Sequence, residues 1–326
     1  MLRATLARAS GVGPLSRPVC MPAGHAPEYP QWTSGFWQSK NRYHNQSQLV
    51  DVAAGYRSRG LPLALMVIDY YSWAPTPLGD EQFSPACWPD PKAMVDTLSD
   101  TGVEVMVSPY FHLVSAASKN AGAAIGQGLL VRNGTDPSLA PARVQEFADS
   151  YLYDVFTAQS RAFAWDKVAS GYVEPYGVRH WWLDCDEPCG FSPGQTAQLV
   201  FNNGTWPASF VGAAYPHMLA QMVHEGMGRL GLADDTVMLG RSAWAGSQRF
   251  GAAVWSGDTF STFDSLRVQF KAGLNLVMSG ARSSRPGARA CAEPHWQGAA
   301  FSTALPNDEC GPGMKYAARS RPPRAL

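Results

Sequence analysis

The sequence predicts an α/β fold: a parallel (β/α)8 barrel of the TIM type, incomplete at its C-terminal end, with about seven strands. Three observations predict it. Apolar runs of strand length alternate with segments of helical period from Trp32 to Met278. Two of those runs, Leu63 to Asp69 and Val178 to Pro188, end on carboxylates, as buried parallel strands do when a site lies at their carboxyl ends. A hydrophobic content of 45% against 16% charged residues can fill a core of barrel size.

Residues 1–28 read as a disordered or targeting segment. Met1 to Arg17 carries arginine and serine without any acid, the texture of an organelle transit peptide, and lacks the continuous apolar run of a secretory signal. The barrel domain is expected over 29–281. Trp32 to Lys40, short and aromatic, is the first strand. Gln46 to Arg59 sets Leu49, Val50, Val52, Ala53 and Tyr56 at helical spacing and stops at Gly60. Leu63 to Asp69 is the second strand, followed by an aromatic, proline-rich loop from Tyr70 to Trp88. Asp90 then caps a helix that opens on Pro91 and runs through Met94, Val95 and Leu98 to Gly102: the carboxylate accepts from free amides, and proline at the first turn forfeits no needed donor.

Val103 to Val107 is the third strand. Phe111 to Ala140 shows no period and reads as a long loop or small insertion above the barrel. Val144 to Val173 reads as helix, with Phe147, Tyr151, Phe156 and Phe163 among its apolar positions. Val178 to Pro188 is the fourth strand, ending in Asp184, Asp186 and Glu187. Beyond a loop to Trp206 come a helix from about Pro216 to Leu230, strands over Thr236 to Arg241 and Ala252 to Asp258, a helix over Phe263 to Phe270 and a seventh strand over Leu274 to Met278. Residues 282–326, rich in arginine, proline and glycine, read as a divergent, disordered tail.

Lys+Arg and Asp+Glu both number 26, so no global charge points to nucleic acid or an anionic membrane, and a neutral partner such as a sugar fits better. No apolar run approaches the ~20 residues of a membrane span. Cys20, Cys87, Cys185, Cys189, Cys291 and Cys310 match no zinc spacing, so neither metal nor cofactor is expected. Sequons at Asn45, Asn133 and Asn203 permit glycosylation, which leaves the compartment open between organellar and secretory; the oligomeric state is open too.

Asp69, Asp184 and Asp258 at separate strand ends, with Arg241 and with Trp73, Trp181 and Trp255 close by, are the ingredients of retaining glycoside hydrolysis. One carboxylate must be ionised to attack the anomeric carbon and the other protonated to release the leaving oxygen, with the pair ~5–5.5 Å apart. Like-charge repulsion raises one of them, while an adjacent arginine keeps the nucleophile ionised. Each residue also has a plainer reading. Asp258 caps the next helix, Asp69 solvates a loop, Arg241 forms a structural ion pair, and the tryptophans fill the core.

The motifs Gly35-Phe36-Trp37-Gln38-Ser39-Lys40, Trp181-Trp182-Leu183-Asp184-Cys185-Asp186-Glu187-Pro188, Arg241-Ser242-Ala243-Trp244-Ala245-Gly246-Ser247-Gln248-Arg249-Phe250 and Val254-Trp255-Ser256-Gly257-Asp258 resemble glycoside hydrolase family 31, the family of α-glucosidases and α-xylosidases. Trp88-Pro89-Asp90-Pro91 and Asn202-Asn203-Gly204 are further landmarks in the same order. The resemblance implies Asp184 as nucleophile and Asp258 as general acid/base. It implies Asp69 and Arg241 as substrate-binding, Trp181, Trp182 and Trp255 as walls of the sugar site, and Glu187 as a support outside direct contact with the sugar. It implies a retaining α-glycosidase that removes terminal α-linked glucose or xylose from oligosaccharides through a glycosyl-enzyme intermediate. A non-catalytic carbohydrate-binding remnant, or a transglycosidase or lyase of the same family, are the alternatives. The family continues past Met278-Ser279-Gly280 into an aromatic stretch, an Asp-Ile-Gly-Gly-Phe segment and an eighth strand. This chain passes into the tail instead, so a truncated catalytic domain with open strand edges is expected.

Overall fold

The computed structural model describes residues 24–278 apart from 137, 145, 146, 148, 189 and 261. The expected targeting segment up to 23 and the expected tail over 282–326 lie outside the described residues. Residues 24–28, expected to be loose, are docked: Ala26 is buried, and Gln248 Nε2 donates to the Gly24 carbonyl at 3.1 Å.

Six parallel strands form a curled half-barrel in chain order. They are β1 (Trp37–Gln38), β2 (Leu65–Ile68), β3 (Glu104–Val107), β4 (His180–Leu183), β5 (Met238–Gly240) and β6 (Ala252–Val254). Their carboxyl ends gather along one edge: Ile68 lies beside Val107, Leu183 beside Gly240, and Gly240 beside Val254, while Val107 pairs with Trp181 and β4 runs on to Leu183. This register brings the residues after each strand to one rim. β2 is buried along its whole length, whereas every residue of β6, at the edge, is only half-buried.

The helices are α1 (Gln46–Ser58), α2 (Pro91–Ser99), α3 (Ala158–Val168), α4 (Tyr215–Arg229) and α5 (Phe263–Met278). Asn45 caps α1 by accepting from the Gln48 amide at 2.9 Å, and Asp90 caps α2 by accepting from Ala93 at 2.9 Å, as its sequence predicts. The Arg161 Nε to Glu225 Oε2 contact at 3.1 Å ties α3 to α4. A β-carbon at Gly226 would lie 2.2 Å from the Trp165 indole, so only glycine lets that ring lie flat on α4.

Three sequence expectations change, and a fourth, the loop or small insertion over 111–140, resolves to the insertion. Trp32 to Lys40 is mostly not strand: Gln31–Ser34 is a 3-10 turn, and only Trp37–Gln38 pairs. The segment over 111–140 is a built insertion with strands Leu113–Ser115 and Arg132–Asn133 and a helix Ala121–Gly126. The expected helix over 144–173 starts only at Ala158. Arg143–Val144 and Ser150–Leu152 are instead strands: they pair with each other, and Ser150–Leu152 pairs on its other side with Leu113–Ser115, because partners distant in sequence outweigh local spacing. Leu274 to Met278 is not a seventh strand but the last turns of α5: a five-residue apolar run has no period of its own, and it extends a helix already begun.

The two sheet faces separate the core. Leu65, Val67, Met106 and Val237 line the inside, with Trp182 packed on them. The outer face, including Val105, Val107, Trp181 and Leu183, belongs to the larger cluster beneath α1 to α4.

Candidate active site

Asp69, Asp184 and Arg241 each follow directly on a strand end, and Tyr110 and Asp258 lie shortly beyond two others. Because Leu183 and Gly240 are partners, Asp184 and Arg241 leave the sheet side by side, and the Arg241 amide donates to the Leu183 carbonyl at 3.1 Å. Arg241 Nη1 lies 3.2 Å from Asp184 Oδ1. Its Nε donates to both oxygens of Glu187 at 3.0 Å, and Nη2 reaches Glu187 Oε2 at 2.6 Å. Ser242 Oγ adds a bond to Glu187 Oε1 at 2.8 Å. Glu187 thus orients the planar guanidinium that faces Asp184. Cys185, at φ 53°, takes the left-handed conformation that turns the chain immediately after Asp184.

Burial raises the Asp184 carboxyl above the usual range, and the charge of Asp258 adds to this; the Tyr110 hydroxyl, Arg241 and the Cys185 amide oppose it. Burial pushes Asp69 up to about 7, against a hydrogen bond from the Tyr70 amide at 2.7 Å and with help from the charges of Asp184 and Asp258. The three carboxylates therefore share one electrostatic field. Burial would raise Glu187 too, but the hydrogen bonds of Arg241 and Ser242 and the Arg241 charge hold it below the usual range.

Asp186 is different. Fully buried, it is pushed well above the carboxylate range by burial and by the charge of Glu187. The Ser242 amide eases that shift as a weak neighbour, and neither carboxyl oxygen completes a hydrogen bond of good geometry among the described residues. A β-carbon at Gly240 would lie 3.1 Å from Asp186 Oδ2, so glycine makes room for this carboxyl under the rim.

The structure separates the three tryptophans expected to wall the site. Trp181 has no exposed surface and packs edge-on against Trp165, Phe111 and Tyr172 at 5.8, 6.0 and 6.2 Å, so it is a core residue that offers a sugar nothing. The reason is strand alternation, which points Trp181 away from Asp184. Trp255 lies on the inner side, edge-on to Trp182 at 5.3 Å.

Sequence reasoning passed over Tyr110, Arg42 and His112. The Tyr110 hydroxyl donates to Asp184 Oδ2. Arg42 stands 4.8 Å over the Tyr71 ring, and its charge lowers Asp69. His112 is buried and pushed down to about 3, chiefly by desolvation, so it is neutral beside the Glu187–Arg241 pair. The signal for Tyr110 was present, because it follows the end of a buried strand as the carboxylates do. Among the described residues no group of His, Cys, Asp and Glu is arranged to hold a metal ion, and no helix is long and apolar enough to cross a membrane. A groove of about 700 Å³ runs along α1 past Gln48, Asp51 and Tyr56 and shares no residue with the carboxylate rim.

A parallel half-barrel with carboxylates and an arginine gathered at its strand ends defines a catalytic α/β-barrel domain. The chain belongs to glycosyl hydrolase family 31: the profile of the "Glycosyl hydrolases family 31 TIM-barrel domain" matches residues 26–292. It is 36% identical over 269 residues to an uncharacterized family 31 glucosidase of Pseudescherichia vulneris, covering 82% of this chain and 48% of that protein. It is 32% identical to α-xylosidase A of Aspergillus niger, over 79% of this chain and 37% of that one. Among solved structures it is similar to a GH31 α-xylosidase from a soil metagenome complexed with xylose, at 37% identity and a TM-score of 0.72, covering 79% of this chain and 36% of that chain. The chain thus spans less than half the length of these relatives.

Proposed function

We propose that this chain carries the catalytic barrel of a retaining α-glycosidase acting on terminal α-linked xylose or glucose. The observation that carries the reading is Asp184 held against Arg241, whose remaining nitrogens are committed to Glu187. An arginine so fixed keeps a half-buried carboxylate ionised and aimed, which a nucleophile requires. An Asp184 oxygen bonds to the anomeric carbon as the glycosidic C–O bond breaks, and Asp258 passes its proton to the departing oxygen. Asp258, again a base, then takes a proton from water; that oxygen attacks the anomeric carbon, and the ester bond to Asp184 breaks. Asp69 holds a hydroxyl of the bound sugar. The names of the similar proteins, a glucosidase and α-xylosidases, support this substrate class.

One observation favours a second reading, sugar binding without turnover. Asp258 is exposed, whereas a working general acid is sheltered from water. Hydrolysis of aryl α-xyloside and aryl α-glucoside separates the two. Release of the α-anomer first, abolished by Asp184→Ala with a loss of at least roughly 10³-fold, is the expected result. Undiminished turnover in Asp184→Ala, or a β-anomer first, overturns the assignment. Heat of xylose binding without any hydrolysis supports the second reading.

A further inference from the structure

We propose that Tyr110 is a positioning residue for Asp184, fixing the rotation of its carboxylate and easing its ionisation. The inference rests on Asp184 being the nucleophile. Asp184 presents two oxygens, and each meets a different donor: Oδ1 faces Arg241 Nη1 at 3.2 Å, and Oδ2 accepts from the Tyr110 hydroxyl. Arg241 is divided, since its Nε and Nη2 are bound to Glu187. Among the described residues the Tyr110 hydroxyl serves Asp184 alone. Without it the carboxylate keeps Arg241 and the amide of its own neighbour Cys185, and turns more freely about its Cβ–Cγ bond.

Tyr110 is itself held. Its backbone sits at φ 56°, uncommon for an aromatic residue, which directs the chain from β3 back over the rim. Its ring is 5.7 Å from Phe147, 5.8 Å from His112, 5.9 Å from Trp73 and 6.0 Å from Tyr70, neighbours drawn from three segments of the chain. The side chain is buried, so the hydroxyl reaches Asp184 with little freedom left to lose. Burial and the charge of Asp184 push the hydroxyl far above its ordinary range, so Tyr110 stays a donor and cannot replace Asp258 as the acid. The Tyr110 bond, like the Arg241 charge, favours ionised Asp184.

The test is Tyr110→Phe in the full chain, which keeps the ring and removes the donor. The carboxyl carbon of Asp184, assigned by its loss in Asp184→Asn, is titrated by ¹³C NMR. Its midpoint should move up by about one unit, because a lost hydrogen bond to the charged form disfavours that form. The acidic limb of kcat/KM for an aryl α-xyloside should move up with it, and kcat should fall roughly tenfold or more with KM little changed. An unmoved midpoint overturns the proposal, and a lowered urea midpoint with unmoved titration assigns Tyr110 to packing alone. The NMR titration decides the contact even in a chain that cleaves no glycoside, an outcome that defeats the functional reading instead. Uniform 3-fluorotyrosine, a more acidic and stronger donor, should shift the midpoint down and tests the same bond with the side chain's shape nearly intact.

Discussion

Trp181 and Trp182 are neighbours in sequence on opposite faces of one sheet, and what surrounds them differs in kind. Around Trp181 the packing is aromatic and closed. Trp182 is half-buried and lies on the inside, the face from which Asp184 follows, against Trp255 and a cluster of only four buried residues. The outer face holds the fold together by excluding water. The inner face ends in carboxylates that burial has pushed toward protonation, an arrangement that costs stability and is useful only if something charged or hydroxylated is to be handled there.

Substitutions can break that contrast. Trp181→Ala should cost the most, about 3–5 kcal/mol in urea unfolding, whereas Trp182→Ala should cost about 1–2 kcal/mol because its surroundings are partly open. Equal losses would mean that the two faces share the burden of stability. Arg241→Lys keeps the charge but cannot span Asp184 and Glu187 together; activity should fall roughly 10²-fold with unfolding changed by about 1 kcal/mol. A kcat/KM close to that of the parent would remove the fork from the mechanism.

The smallest effect concerns pH. In the unfolded chain Asp69 ionises near 3.8, but in the folded protein it keeps its proton up to about 7. Between those values the folded state binds the extra proton, so the contribution of Asp69 to stability is greatest in acid and declines as pH rises toward about 7. Asp69→Asn should flatten that decline in urea midpoints measured from about pH 4 to about 8. An unaltered slope would assign the titration to another buried acid, with Asp186 and Glu81 the next candidates.

Much of the fold was legible because its signals are local. The Asp90-Pro91 helix start is one amide geometry written in two residues, and Leu63 to Asp69 is apolar enough to be a strand buried on both faces. The strand ends also marked Asp69, Asp184 and Arg241. Period-two alternation is equally readable: it places Trp181 on the face opposite Asp184.

What the sequence could not determine depends on contacts between distant residues. Leu274 to Met278 suits helix or strand alike until the preceding turns of α5 are known. Ser150–Leu152 is a strand because Leu113–Ser115 and Arg143–Val144 lie on either side of it. Tyr110 reaches Asp184 across 74 residues of chain, and Arg241 meets both Asp184 and Glu187 only because β4 and β5 are parallel and in step. Local propensity fixes which segments extend or coil and which residues stand at their ends. Only the register between strands decides which of those residues come within hydrogen-bonding distance, because that register is set by burying the whole sheet at once.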